Sequence, residues 1–138
     1  MDRSSILVIS GLPGVGKTHF VDWLGRRGWG CLHSDDDPHD CRERLWAAAR
    51  GDDEPLQEAA VRHLAGFVVE WGFPSISFHL VEAMIKRGYI AWYFDGDPDA
   101  ALSCYLRRGG SWRTPHNWRV QVDGLRAIED RIRGVEVR

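Results

Sequence analysis

The stretch Gly11-Leu12-Pro13-Gly14-Val15-Gly16-Lys17-Thr18 decides how this chain is read. It fits G-x-x-x-x-G-K-[ST] at every fixed position, the pattern of a loop that cradles phosphates. Glycines let the backbone curl until successive N–H groups point inward at phosphate oxygens. A helix that starts at the same place adds its positive N-terminal dipole. Lys17 can reach the β- and γ-phosphates of a nucleoside triphosphate, and the Thr18 hydroxyl can ligate Mg²⁺. The alternative, a chance glycine-rich turn, does not account for the context. A buried apolar run, Ser5-Ile6-Leu7-Val8-Ile9-Ser10, precedes the loop, and a helical pattern with Phe20, Val21 and Leu24 on one side follows it. The residues expected against the nucleotide are Gly11, Pro13, Gly14, Val15, Gly16, Lys17, Thr18 and His19.

Outward from the loop, strands alternate with helices. Strands are predicted at about 30–33, 67–71 and 90–94, with Gly134-Val135-Glu136-Val137 as a fifth, edge strand. Asp37-Pro38 and Asp97-Pro98 each read as an N-cap followed by proline at the first helical position. They open helices to about Ala49 and Arg108. Further helices are expected from Glu54-Pro55 to about Ala65, from Pro74-Ser75 through Ile85, and from Pro115, where Trp118, Val122, Leu125 and Ile132 share one face. This order predicts an α/β fold, a parallel sheet with helices on both faces. A length of 138 residues fits a single domain over 1–138.

The totals exclude several classes. Apolar residues make up 43% and charged residues 28%, an ordinary soluble balance. The net charge of −2 gives no global basic field for nucleic acid, although arginine is concentrated late in the chain. Cys31, Cys41 and Cys104 fit neither a zinc site nor a redox pair, so reduced thiols and a cytoplasmic location are expected. No apolar run reaches membrane-spanning length, and the start lacks a signal-peptide pattern.

Three further groups carry chemistry. Asp35-Asp36-Asp37 lies just past the second strand, where open α/β sheets bind ligands. Asp35 is the expected base toward an acceptor hydroxyl, and Asp37 an expected Mg²⁺ contact, unless it only caps the next helix. Glu70, ending an apolar strand, stands where a metal-holding acid is found in nucleotide-binding sheets. Trp71 after it either walls an acceptor pocket or packs in the core. Arg107 and Arg108, beside the flexible Gly109-Gly110, suit a lid that closes on the transferring phosphate. Arg107 is also an expected nucleotide contact, with Arg113, Arg119 and Trp112 as weaker candidates. The six histidines show no metal-ligand spacing; packing or a hydrogen bond is expected for His33.

Taken together, Gly16-Lys17-Thr18, the Asp35-x-Asp37 pair and Arg107-Arg108 resemble the P-loop kinases, both the adenylate-kinase-like small-molecule kinases and the polynucleotide-kinase-type domains. The resemblance implies a three-layer fold with a five-stranded parallel sheet in the order 2-3-1-4-5 and a short lid. It implies ATP with Mg²⁺, phosphate transfer to a hydroxyl, and Lys17, Asp35, Arg107 and Arg108 as the catalytic set. Glu70-Trp71-Gly72, Tyr93-Phe94-Asp95-Gly96-Asp97 and Arg107-Arg108-Gly109 are similar to small bacterial and phage P-loop kinases, some of which phosphorylate 5-hydroxymethyluracil in DNA. The acceptor thus stays open among a small-molecule alcohol, a nucleoside and a modified base, and the assembly between monomer and homodimer. An NTPase or switch with no acceptor remains the alternative.

Overall fold

Ile6–Gly11 has no polar face to offer water, and it becomes β1, buried at every residue. The computed structural model describes residues 3–34, 36–71, 77–94, 96–132 and 136–137. On one side β1 pairs in parallel with β3 (Phe67–Glu70), and on the other with β4 (Ile90–Phe94). The strand β2 (Gly30–His33) extends the sheet beyond β3. The order 2-3-1-4 is the one expected from the resemblance. Of the expected fifth strand, β5 (Glu136–Val137) pairs in parallel with β4, while Gly134 and Val135 lie outside the described residues.

Alternation along β1 divides the core between two layers. Leu7 and Ile9 pack with Val21 and Leu24 of α1 (Lys17–Gly25) and with Val68. Ile6 and Val8 face the larger layer, which includes Leu45 of α2 (Pro38–Arg50), Leu56 of α3 (Glu54–Ala60) and Met84 of α4 (Phe78–Lys86). Tyr105 of α5 (Pro98–Arg107) joins it, as do Trp118, Val122 and Leu125 of α6 (Pro115–Ala127) and Ile132 of α7 (Glu129–Ile132). Helices on both faces of a parallel sheet cover the apolar side chains of its strands.

The proline-marked helix starts stand where the sequence places them. Asp37 and Asp97 each cap with their carboxylates and put proline at the first turn. Two boundaries differ from expectation. The helix α3 ends at Ala60 rather than near Ala65, because tight turns closed by His63 N–H to Ala60 O and Gly66 N–H to His63 O lead directly into β3. The last helix breaks at Ile128, yet Ile132 still reaches the core. The expected helix start at Pro74-Ser75, with Ile76, lies outside the described residues.

A charged knot ties the N-terminal ends of the strands, away from the phosphate loop. Asp53 accepts hydrogen bonds from Arg3 Nε at 2.9 Å, Arg87 Nη2 at 3.1 Å and the Tyr89 hydroxyl at 2.5 Å. Burial would push the Asp53 carboxyl up, but these donors outweigh it and hold it at about 2. A carboxyl depressed in the fold stabilises above its unfolded value and loses that contribution as pH falls through the folded one. Asp53→Asn is therefore expected to cost roughly 2 kcal/mol at neutral pH. The gap to the parent should close between about pH 4 and about pH 2, as followed by urea denaturation across that range.

Candidate active site

The loop Leu12–Gly16 leaves the end of β1 and enters α1 without a side-chain cap. Its shape rests on two glycines for different reasons. Gly14 has φ +89, and a Cβ there would overlap the Ala101 carbonyl oxygen and come within 2.9 Å of Tyr105 N. Gly16 has φ +100 with no protein atom near its Cβ position, so within the fold its left-handed backbone is what favours glycine. Val15 N–H closes the turn onto Leu12 O at 3.1 Å. From the opposite side, Trp118 Nε1 donates to Pro13 O at 3.0 Å, so α6 holds the loop in place. Val15 packs against the larger core layer. Pro13 and Val15 thus shape the loop, while Gly14, Gly16, Lys17, Thr18 and His19 line the cleft above it.

Lys17 Nζ donates to Gly11 O at 2.9 Å, folded back over the loop it would serve. Next to it, the Thr18 hydroxyl donates to Glu70 Oε1 at 3.2 Å. The second oxygen of Glu70, Oε2, lies 2.5 Å from His33 Nδ1. Sheet register explains the meeting: Ile9, Glu70 and His33 are aligned across β1, β3 and β2. The parallel ladder thereby delivers a carboxylate and an imidazole to one edge, and the first turn of α1 brings the Thr18 hydroxyl to meet them.

Across a cleft of ≈ 440 Å³, Arg107 and Arg108 at the end of α5 face Lys17, Thr18 and Glu70. Arg108 Nη2 lies 3.5 Å from Thr18 Oγ1. Arg107 lies against Cys104 Sγ at 3.2 Å, and Cys104 also lines the cleft. Arg113 is placed otherwise: it donates to Gly109 O at 2.9 Å and covers the Trp112 ring at 4.1 Å, closing off the end of α5. Trp112, half exposed, packs edge-on to Tyr105. Arg119 is exposed on α6 and does not line the cleft.

The acids divide. Asp35 lies outside the described residues. Asp37, expected beside the metal, is an exposed N-cap of α2 that accepts from Asp40 N–H at 3.0 Å and does not line the cleft. Helix capping takes its carboxylate because Pro38 starts the helix immediately after it. Trp71 is buried in the core and does not wall a pocket. The Cys31 and Cys41 thiols are pushed up to about 12, mainly by burial, as inert packed thiols are.

The donors suit Mg²⁺ held together with phosphate. Among the described residues no group of three or more His, Cys, Asp or Glu could cage a metal. Mg²⁺ ordinarily needs no such cage, since it keeps waters and takes one or two protein oxygens beside substrate phosphates. The Thr18 hydroxyl and the Glu70 carboxylate offer those oxygens in the same cleft that Gly14, Gly16 and Lys17 of the loop line. His33, Cys104 and Trp118 enter the site's surroundings without any spacing signal in the chain. Their places depend on β2 register and on helix packing.

No protein-family model matches the chain, and no curated protein matches it in sequence. Solved structures do match in fold. A shikimate kinase from Bacteroides thetaiotaomicron superposes with a TM-score of 0.57 at 12% identity, over 96% of this chain and 84% of that one. The protein TT1252 from Thermus thermophilus superposes with a TM-score of 0.50 at 18% identity, over 99% of this chain and 88% of that one. Among the described residues no helix is long and apolar enough to cross a membrane. The strand order, the phosphate loop and these superpositions agree on one point: the chain has the fold of the P-loop kinases.

Proposed function

We propose that this protein is an ATP- and Mg²⁺-dependent kinase that transfers the γ-phosphate to a hydroxyl group. The observation that carries the proposal is the meeting of Lys17, Thr18, Glu70, Arg107 and Arg108 around one cleft at the C-terminal edge of the sheet. A phosphate loop alone would serve any nucleotide binder. Two arginines facing it from a helix end beside Gly109 and Gly110 supply what transfer needs, cations placed on charge that grows as the phosphoryl group moves.

In this reading the loop N–H groups and Lys17 bind the β- and γ-phosphates. Lys17 exchanges Gly11 O for a phosphate oxygen. Thr18 and Glu70 are the metal contacts, and bound Mg²⁺ supplies neutralisation of the phosphates. Arg107 and Arg108 close over the γ-phosphate and exclude water. Asp35, which follows the end of β2 in the sequence, accepts the acceptor's proton. The acceptor class is a small-molecule alcohol, a nucleoside or a hydroxymethylated base in DNA.

The test is transfer of labelled γ-phosphate from ATP–Mg²⁺ to a panel of metabolite alcohols, nucleosides, nucleotides and DNA with and without hydroxymethylated bases. Label on one acceptor class supports the kinase and names its substrate. Label only in free phosphate points instead to an NTPase without an acceptor. Asp35→Asn is expected to leave ATP binding intact and lower transfer about 10²-fold. Parental rates in that variant would remove Asp35 as the base.

A further inference from the structure

We infer that His33 is a positioning residue: it locks the Glu70 carboxylate so that Thr18 presents a lone pair to the divalent cation that accompanies the nucleotide. The inference rests on the nucleotide–metal reading above and assigns a role to a side chain outside the cleft lining. The geometry is a three-member chain. His33 Nδ1 meets Glu70 Oε2 at 2.5 Å, and Glu70 Oε1 accepts the Thr18 hydroxyl at 3.2 Å. A carboxylate oxygen only accepts, so Nδ1 carries the proton and donates.

The consequence follows from what a hydroxyl can do. Thr18 has one proton and two lone pairs, and it ligates a cation only when the proton points elsewhere. Glu70 Oε1 takes that proton, which turns a lone pair toward the cleft. A glutamate held only by this one bond would have other rotamers open to it. The bond from His33 removes that freedom by fixing the far oxygen. His33 is suited to the task because β2 is hydrogen-bonded to β3 in a register that aligns His33 with Glu70. Both side chains are also largely buried, with 26% and 13% of their surface exposed. Glu70 lines the cleft and His33 does not, so the imidazole acts through the carboxylate and not on the substrate itself. Partners of this kind, one step removed from a metal, typically change its affinity 10- to 100-fold.

The experiment measures Mn²⁺ binding by electron paramagnetic resonance in the presence of a non-hydrolysable ATP analogue, for the full chain, His33→Ala and His33→Asn. Analogue binding without metal is measured in parallel in EDTA, and each variant's Tm is recorded. His33→Ala is expected to weaken Mn²⁺ binding about 10- to 100-fold with metal-free analogue binding unchanged. His33→Asn, whose amide can donate from nearly the place of Nδ1, should recover most of the loss. Parental Mn²⁺ affinity in His33→Ala overturns the inference. So does equal weakening in both variants, which would mark the imidazole as packing only. A parent that binds no Mn²⁺–analogue overturns the nucleotide–metal reading together with this inference. A parent that binds it but labels no acceptor overturns the kinase alone and leaves His33 standing.

Discussion

Lys17→Ala is expected to lower phosphate transfer about 10³-fold and to weaken nucleotide binding as well. The ammonium sits at the first residue of α1 and lines the cleft, with Nζ 2.9 Å from Gly11 O. The bond to a backbone carbonyl of the loop itself keeps the charge over that loop. On the proposed kinase reading, loss of that charge removes a cation that follows the γ-phosphate into the transition state. Lys17 is half-buried at the cleft and is not part of either core cluster, so the variant should stay folded, as circular dichroism would check. Fluorescent-nucleotide titration and labelled transfer, read side by side, check both halves. Full transfer in this variant would mean that the phosphates lie elsewhere.

Gly14→Ala is expected to be nearly as damaging without removing any functional group. The added Cβ would meet the carbonyl of Ala101 and the backbone N of Tyr105, both in α5. A backbone obstacle cannot rotate away, so either the loop lifts or α5 is pushed outward. Lifting misaligns several N–H donors at once; pushing α5 moves Arg107 and Arg108, which that helix carries. Either displacement should reduce turnover by roughly 10²- to 10³-fold, the scale of losing aligned donors in a preorganised site. Gly16→Ala makes a useful contrast. No protein atom lies within 4 Å of its Cβ position, so toward the fold the change adds left-handed backbone strain, about 1 kcal/mol. Turnover should rank parent above Gly16→Ala above Gly14→Ala, with circular dichroism confirming that both variants fold. The reverse ranking would show that the α5 contact does not set the loop.

The residues differ in how readable they were. Those whose role is local were plain in the chain. A phosphate loop is contiguous, so Gly14, Gly16, Lys17 and Thr18 announce themselves by spacing. Asp37-Pro38 and Asp97-Pro98 mark helix starts because capping involves only neighbouring residues. The apolar runs of β1, β3 and β4 reveal buried parallel strands because both faces must be covered. The place of Arg107 and Arg108 at a helix end beside two glycines was legible too, and the structure sets both at the cleft.

What depends on register or packing was not legible. Asp37 offered two roles on the page, metal contact and cap, and only its bond to Asp40 N–H separates them. Arg113 was a weaker candidate than Arg107 and Arg108, and its guanidinium turns back onto Gly109 O and Trp112. Trp71 stood beside a candidate acid, and burial settled it as core. By itself, then, the sequence determined the phosphate loop, the alternation of strands and helices, and the helix starts. All of these follow from chain-local sterics and hydrogen bonding. Tertiary structure alone decided that His33 grips Glu70, that Trp118 braces Pro13, and that α5 sets two arginines over Thr18. Those contacts join residues 37, 105 and 90 positions apart. No local rule measures such distances; the pairing of parallel strands and the packing of helices on them do.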